Sequence, residues 1–272
     1  MIGHIEFKKI MEIKNGTILS ADLNEKNEVL ILYKARDDGT LKVLIKGKDL
    51  VVPKNFNATH IRWCGKNLML VSGRLKKDEE YNALVIDAHG NTIESFELGD
   101  AIQNIDQDSK DNIWVGYFDE GIFGETIGKE GLVCFSKNHQ ILFRYHTDHP
   151  NLPSIDDCYA IAVDKKRSCV WVCAYSSWNL IKLDFSGKVI ENSGAVPEEI
   201  IGASALAVGE NNLVYLFSPY KHRQSLIEYD KKNKKFNVLR LKCGPETKEL
   251  FGFGRGNKLI LCSPNSVWIR DF

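Results

Sequence analysis

The chain has 272 residues, of which 43% are hydrophobic, and its 36 Lys and Arg balance 36 Asp and Glu. Zero net charge excludes a general nucleic-acid binder, which needs a cationic surplus to neutralise phosphates. No apolar run approaches the ~18 residues of a membrane span, and Met1–Lys9 lacks an apolar signal region, so the expectation is a cytosolic protein that meets neither membrane nor nucleic acid.

Taken in chain order, the first element is a strand over His4–Ile10, in which polar and apolar residues alternate. Beyond it the period is almost everywhere two residues, in short runs rich in Val, Ile, Leu and aromatics separated by Asn, Asp, Gly and Lys clusters. That is the signature of strands and turns, and no long amphipathic helix interrupts it. Strands that follow a tight polar turn begin near Val29, Leu68, Ile113, Val170, Leu213 and Leu259. The spacing is roughly 40–50 residues, with one longer interval between Ile113 and Val170. A period of that size with four strands per unit is that of β-propeller blades, since one twisted four-stranded sheet must stack on neighbours to bury both faces.

The fourth unit can be read strand by strand: Cys158–Asp164 innermost, then Cys169–Ala174, Asn179–Phe185 and Lys188–Glu191. Small residues mark the innermost strands, among them Ala160, Ala162, Ala205, Ala207, Gly252 and Gly254, where crowding around an axis leaves little room. The sixth unit, Leu259–Cys262 followed by Ser266–Phe272, is one strand short. The N-terminal strand is therefore expected to supply its outer strand and close the ring, which removes an exposed edge. The expectation is an all-β, six-bladed propeller of four antiparallel strands per blade, forming a single domain over residues 1–272.

Seven cysteines are scattered with no CxxC pair, the usage of buried thiols rather than of a disulfide framework. Cys169 and Cys173 stand four apart on one strand and so share a face.

Two segments carry more than pattern: Ile105–Gly116, with Asp108, Asp111, Asn112 and the run Trp114-Val115-Gly116, and Leu152–Val172, with Leu152-Pro153-Ser154 leading to Val170-Trp171-Val172. They resemble the repeats of the sensor propellers of two-component regulators. The resemblance covers about two blades and implies that these residues maintain the blade. Asp111–Val115 is also similar to the repeats of six-bladed lactonases of the gluconolactonase and regucalcin type. That likeness implies a divalent cation at the axis held by oxygen ligands from different blades. The chain departs from it in having no Glu-Gly-Pro followed by an aromatic near the N-terminus.

For function, the mouth of the axis should be lined by residues at the start of each inner strand, here Asn57, His60, Asn104, Asp106, Asp156, Asp157, Ser204 and Glu249. In a metal-dependent lactone or ester hydrolase, Asp106, Asp156 or Glu249 would work there. His146-Thr147-Asp148-His149 reads as an exposed polar loop, and the loop cations Arg74, Lys76 and Lys77 read as solvated. The longer loops after the second strands of successive blades should crowd one face, and they combine aromatics with charge, as protein-recognition surfaces do. The leading expectation is a non-catalytic protein-binding propeller that uses Phe118, Asp119, Glu120, Phe123, Glu125, Trp178, Tyr220 and Arg223 and needs neither cofactor nor metal. Its partner is another protein, and a specific form is an immunity protein that covers a toxin such as a nuclease. A third reading is a sensor in which Trp178 and Tyr220 stack on a sugar or small metabolite.

Overall fold

The computed structural model describes residues 3–76, 78–211, 213–243 and 249–272, so Lys77 lies outside the described residues. Six sheets stand around an axis. Blade one comprises Gly16–Leu23, Val29–Ala35, Leu41–Ile45 and Lys48–Val51 from the axis outward. Blade two comprises His60–Cys64, Asn67–Val71, Ala83–Ile86 and Thr92–Phe96. Blade three comprises Ile102–Gln107, Ile113–Tyr117, Leu132–Phe135 and Ile141–Arg144. Blade four comprises Ile155–Asp164, Cys169–Ser176, Asn179–Asp184 and Val189–Ala195. Blade five comprises Ala205–Val208, Leu213–Phe217, Ser225–Asp230 and Lys235–Lys242. Blade six has Phe251–Arg255, Lys258–Cys262 and Ser266–Asp271 from the C-terminal end of the chain. All six second strands begin within a residue of the positions read from the sequence.

The closure differs from the expectation in one respect. The N-terminal segment is split at Phe7 instead of forming one strand. Lys8–Glu12 pairs antiparallel with Ser266–Ile269 as the outer strand of blade six, while Gly3–Glu6 pairs in parallel with Leu239–Lys242 as a fifth strand of blade five. Between them Phe7 is 4% exposed and packs with Tyr215, Leu250 and Trp268. The segment thus clasps two adjacent blades, because Phe7 can be buried only where both edges meet.

Small residues at the axis have the role their pattern implied. Ala160, Ala162, Ala205 and Ala207 are buried, and a Cβ on Gly252 would stand 3.1 Å from the Phe217 ring and 3.4 Å from Ala205 Cβ. The polar turns are built locally: Asp108 accepts from the amides of Lys110 and Asn112, from Asn112 Nδ2 and from Trp114 Nε1. Asp108, Asn112 and Trp114, which carry the sensor-propeller resemblance, therefore hold this turn of the blade together. The cysteines are unpaired, and Cys169 and Cys173 are buried among Trp171, Leu180 and Leu216.

Candidate functional site

The strand starts and the loops after the second strands share one end of the ring, and two groups of the expected residues gather there. The first lies in the blade-three loop. Phe118 leads into a one-turn helix, Asp119–Ile122, whose amides are tied back to Phe118 and Asp119 carbonyls. Gly121 is obligatory, since a Cβ there would meet Asp100 O at 2.6 Å and Ala101 Cβ at 2.8 Å. The organiser is Arg74, which the sequence reading treated as a solvated cation. Its Nε lies 3.1 Å from Asp100 Oδ1, its Nη1 pairs with Glu120, and its guanidinium covers the Phe118 ring at 5.6 Å. Glu120 is thereby committed within the fold, whereas Asp119 and Glu125 stay exposed and Phe123 reaches 75% exposure.

The second group lies on blades four and five. Trp178 sits at φ 52°, a left-handed conformation uncommon for a bulky residue. Edge-on contacts surround its indole: Tyr159 at 4.9 Å, Tyr175 at 5.6 Å and Tyr220 at 6.0 Å between ring centres. The Tyr159 and Tyr220 hydroxyls hydrogen-bond to each other. Trp178 is consequently only 7% exposed, while Tyr175 and Tyr220 are 46% and 48% exposed. This corrects two expectations. Trp178 supports the face from below and offers no ring for a sugar to stack on; the rings exposed here are those of Tyr220 and of Tyr175, which was not among the expected site residues. Arg223 is exposed just beyond Tyr220.

The inner strand of blade four joins the two groups. Its register slips between Ile155 and Asp157 and again between Asp157 and Ala160, and bulges of this kind re-aim side chains at functional rims. Tyr159 reaches the aromatic cluster from the second irregularity. Its signal was a bulky ring in the run Cys158-Tyr159-Ala160, where neighbouring inner strands carry small residues. The helix of blade three packs on this strand, which carries Asp157. Burial, and then the charge of Asp119, raise its carboxyl to about 6. A raised acid favours the fold below its unfolded value near 4 and loses that contribution as pH climbs toward 6. Asp157→Asn is therefore expected to stabilise the protein at pH 7 by about 1 kcal/mol, the shift being discounted for partial exposure, and to change nothing near pH 3.5, as thermal unfolding at the two pH values would read.

Other expected site residues are dispersed. Asp106 belongs to the opposite mouth, where Arg255 Nη1 is 3.3 Å away, and Asp156 accepts from Ser176 Oγ at 2.6 Å. Asp106, Asp156 and Glu249 are thus not one ligand set, and among the described residues no three His, Cys, Asp or Glu are placed to hold a metal ion. His60 lies inside the channel, donating from Nε2 to Gln103 O at 3.2 Å and accepting at Nδ1 from Thr59. Burial and the nearby Arg62 pull its pKa down to about 4. His146 and His149 spend their rings on stitching. His146 Nε2 accepts from Ile155 N at 3.0 Å and its Nδ1 contacts Lys129 O at 2.6 Å, while His149 Nε2 contacts Gly187 O at 2.7 Å. They bridge blades and do not form a free loop.

The protein is a six-bladed β-propeller, and solved structures agree. It is similar to a gluconolactonase from Xanthomonas campestris, with TM-score 0.58 and 8% identity over 95% of this chain and 86% of that one. It is also similar to a chain of a nidogen/laminin complex, with TM-score 0.57 and 10% identity over 82% and 80% of the two chains. A third similar structure is the extracellular domain of a protein assigned as a hybrid two-component system of B. thetaiotaomicron, with TM-score 0.52 and 12% identity. The match takes in 97% of this chain and 39% of that one, so this chain spans about two fifths of that protein's domain. No protein-family model and no curated protein matches the sequence. At these identities the likeness concerns the fold, and both resemblances seen in the repeats are resemblances of fold.

Proposed function

We propose that the protein is a non-catalytic binding module whose loop face over blades three to five docks onto another protein. The observation that carries the reading is the coexistence on that face of Phe123, 75% exposed, with Tyr175 and Tyr220, 46% and 48% exposed. These rings rise from loops pinned by Arg74 and by the buried Trp178. Exposed aromatics on a preorganised frame lose little entropy on binding, and such anchors supply most of the energy of interfaces. The acidic residues Asp119, Glu125 and Asp157 alongside them suit a basic surface on the partner. A narrower form of the reading is a cytosolic immunity protein seated over the basic active site of a toxin such as a nuclease; what favours it is that acidic and aromatic combination. The nidogen/laminin likeness supplies an analogy of fold for a propeller within a protein complex.

The test is a stoichiometric pull-down from the native cell and its secreted proteins, followed by calorimetric titration of the purified partner. Phe123→Ala with Tyr220→Ala is expected to weaken binding at least ~100-fold, about 2.8 kcal/mol for the pair. Glu125→Lys is expected to slow association most strongly at low salt. A bound partner indifferent to the double variant would remove this face from consideration.

A further inference from the structure

At the other end of the ring, the turns between first and second strands of five blades surround a cavity of about 870 Å³, within the ~300–1,000 Å³ usual for small-molecule sites. Its floor is charged and buried. Arg62 and Asp106 are 3% and 4% exposed. Asp22 Oδ1 lies 2.6 Å from Arg255 Nε, and Asp22 Oδ2 accepts from Trp63 N at 2.8 Å. Arg62 donates to the carbonyls of Ile105 and Ile61, both at 2.6 Å. Two atoms are left over. Asp106 Oδ2 and Arg255 Nη2 have no hydrogen-bond partner, and Asp106 Oδ2 only approaches Arg255 Nη1 at 3.3 Å without the alignment of a hydrogen bond. A buried acceptor and a buried donor left unmatched are costly to a fold, and both residues line the cavity.

The rim has the opposite character. Lys46 and Lys258 are held by Glu28 and Asp271, but Lys26, Lys66, Lys165 and Lys166, from three blades, make no ion pair among the described residues. Glu25 and Asp111 line the same cavity and likewise make no ion pair among the described residues, so four lysines against two carboxylates leave the upper cavity a modest cationic excess. Below it stand one unspent donor and one unspent acceptor, a combination that a single hydroxyl satisfies by accepting from Arg255 and donating to Asp106. We propose that this mouth binds a small phosphorylated polyol, its phosphate among the rim lysines and a hydroxyl between Arg255 and Asp106. Lysine ammonium groups serve phosphate as point charges, and the concave floor reads the hydroxyl. The site lies at the opposite end of the strands from the protein-docking face and stands or falls independently of it.

The experiment is calorimetric titration of the intact protein at low ionic strength with glucose 6-phosphate, ribose 5-phosphate, glycerol 3-phosphate, inorganic phosphate and glucose. At least one ester is expected to bind one-to-one, about tenfold tighter than inorganic phosphate, with glucose weaker still. Lys165→Ala with Lys166→Ala, both exposed, should weaken the ester about tenfold with an unchanged melting temperature. Asp106→Asn should weaken the ester and leave inorganic phosphate binding unaltered. Failure of every phosphate compound to bind at millimolar concentration, or ester binding indifferent to the lysine pair, overturns the proposal. Equal affinities for the esters and inorganic phosphate overturn the assignment of the hydroxyl.

Discussion

Deletion of residues 1–12 is expected to abolish the cooperative thermal unfolding of the ring. It strips blade six of its outer strand, opening the edge of Ser266–Asp271, and strips blade five of the parallel strand over Leu239–Lys242. An exposed long edge also invites pairing with a second molecule, so the truncated chain should aggregate on heating. The substitution Phe7→Ala isolates the clasp from the strands. Phe7 is 4% exposed and lies in a cluster with Tyr215, Leu226 and Trp268, and truncating a buried Phe costs about 3–5 kcal/mol. A denaturant midpoint lowered with an unchanged slope would locate the loss in this packing. A Phe7→Ala protein as stable as its parent would mean that the N-terminal segment lies on the blades without holding them.

The second large effect is expected at Gly254. A Cβ there would fall on the carbonyl oxygen of Leu206 in blade five, with the Ile161 carbonyl of blade four 3.1 Å away. Both obstacles are backbone, so no side chain can rotate aside, and three inner strands must separate. Gly254→Ala should therefore cost at least the upper end of the ~1–3 kcal/mol of ordinary overpacking, read as a fall in melting temperature. Gly252→Ala is the control: its nearest neighbours are the Leu261 side chain at 3.0 Å and the Phe217 ring at 3.1 Å, which can give way, so its effect should be clearly smaller. The contrast between two glycines in one strand tests whether backbone crowding at the axis sets the limit on residue size.

The loop residues divide by what surrounds them. Phe123, Asp119 and Glu125 were legible as exposed loop residues, because the loop between second and third strands is long and mixes aromatics with acids. Trp178 was legible as important but was misplaced, since an indole in a Ser-rich loop looks available until Tyr159, Tyr175 and Tyr220 are seen around it. Arg74 gave no signal at all: its partners Asp100 and Glu120 are far along the chain, and only blade packing brings them together. Asp106 was expected at the start of an inner strand, but that strand begins at Ile102 and Asp106 lies at its far end, which puts it at the opposite mouth of the channel.

What the sequence determined by itself is the ring: two-residue alternation sets strands, Asp, Asn and Gly set the turns, and a recurrence of about 40–50 residues sets the blades. These signals are local, because each turn and strand makes its own hydrogen bonds within a few residues. The tertiary structure alone decided the split of the N-terminal segment at Phe7, the bulges that lift Tyr159 into the aromatic cluster, and the buried charges of Asp22, Arg62, Asp106 and Arg255. Each of those depends on which blades become neighbours around the axis, and pairings between residues distant in the chain leave no period for a sequence to display.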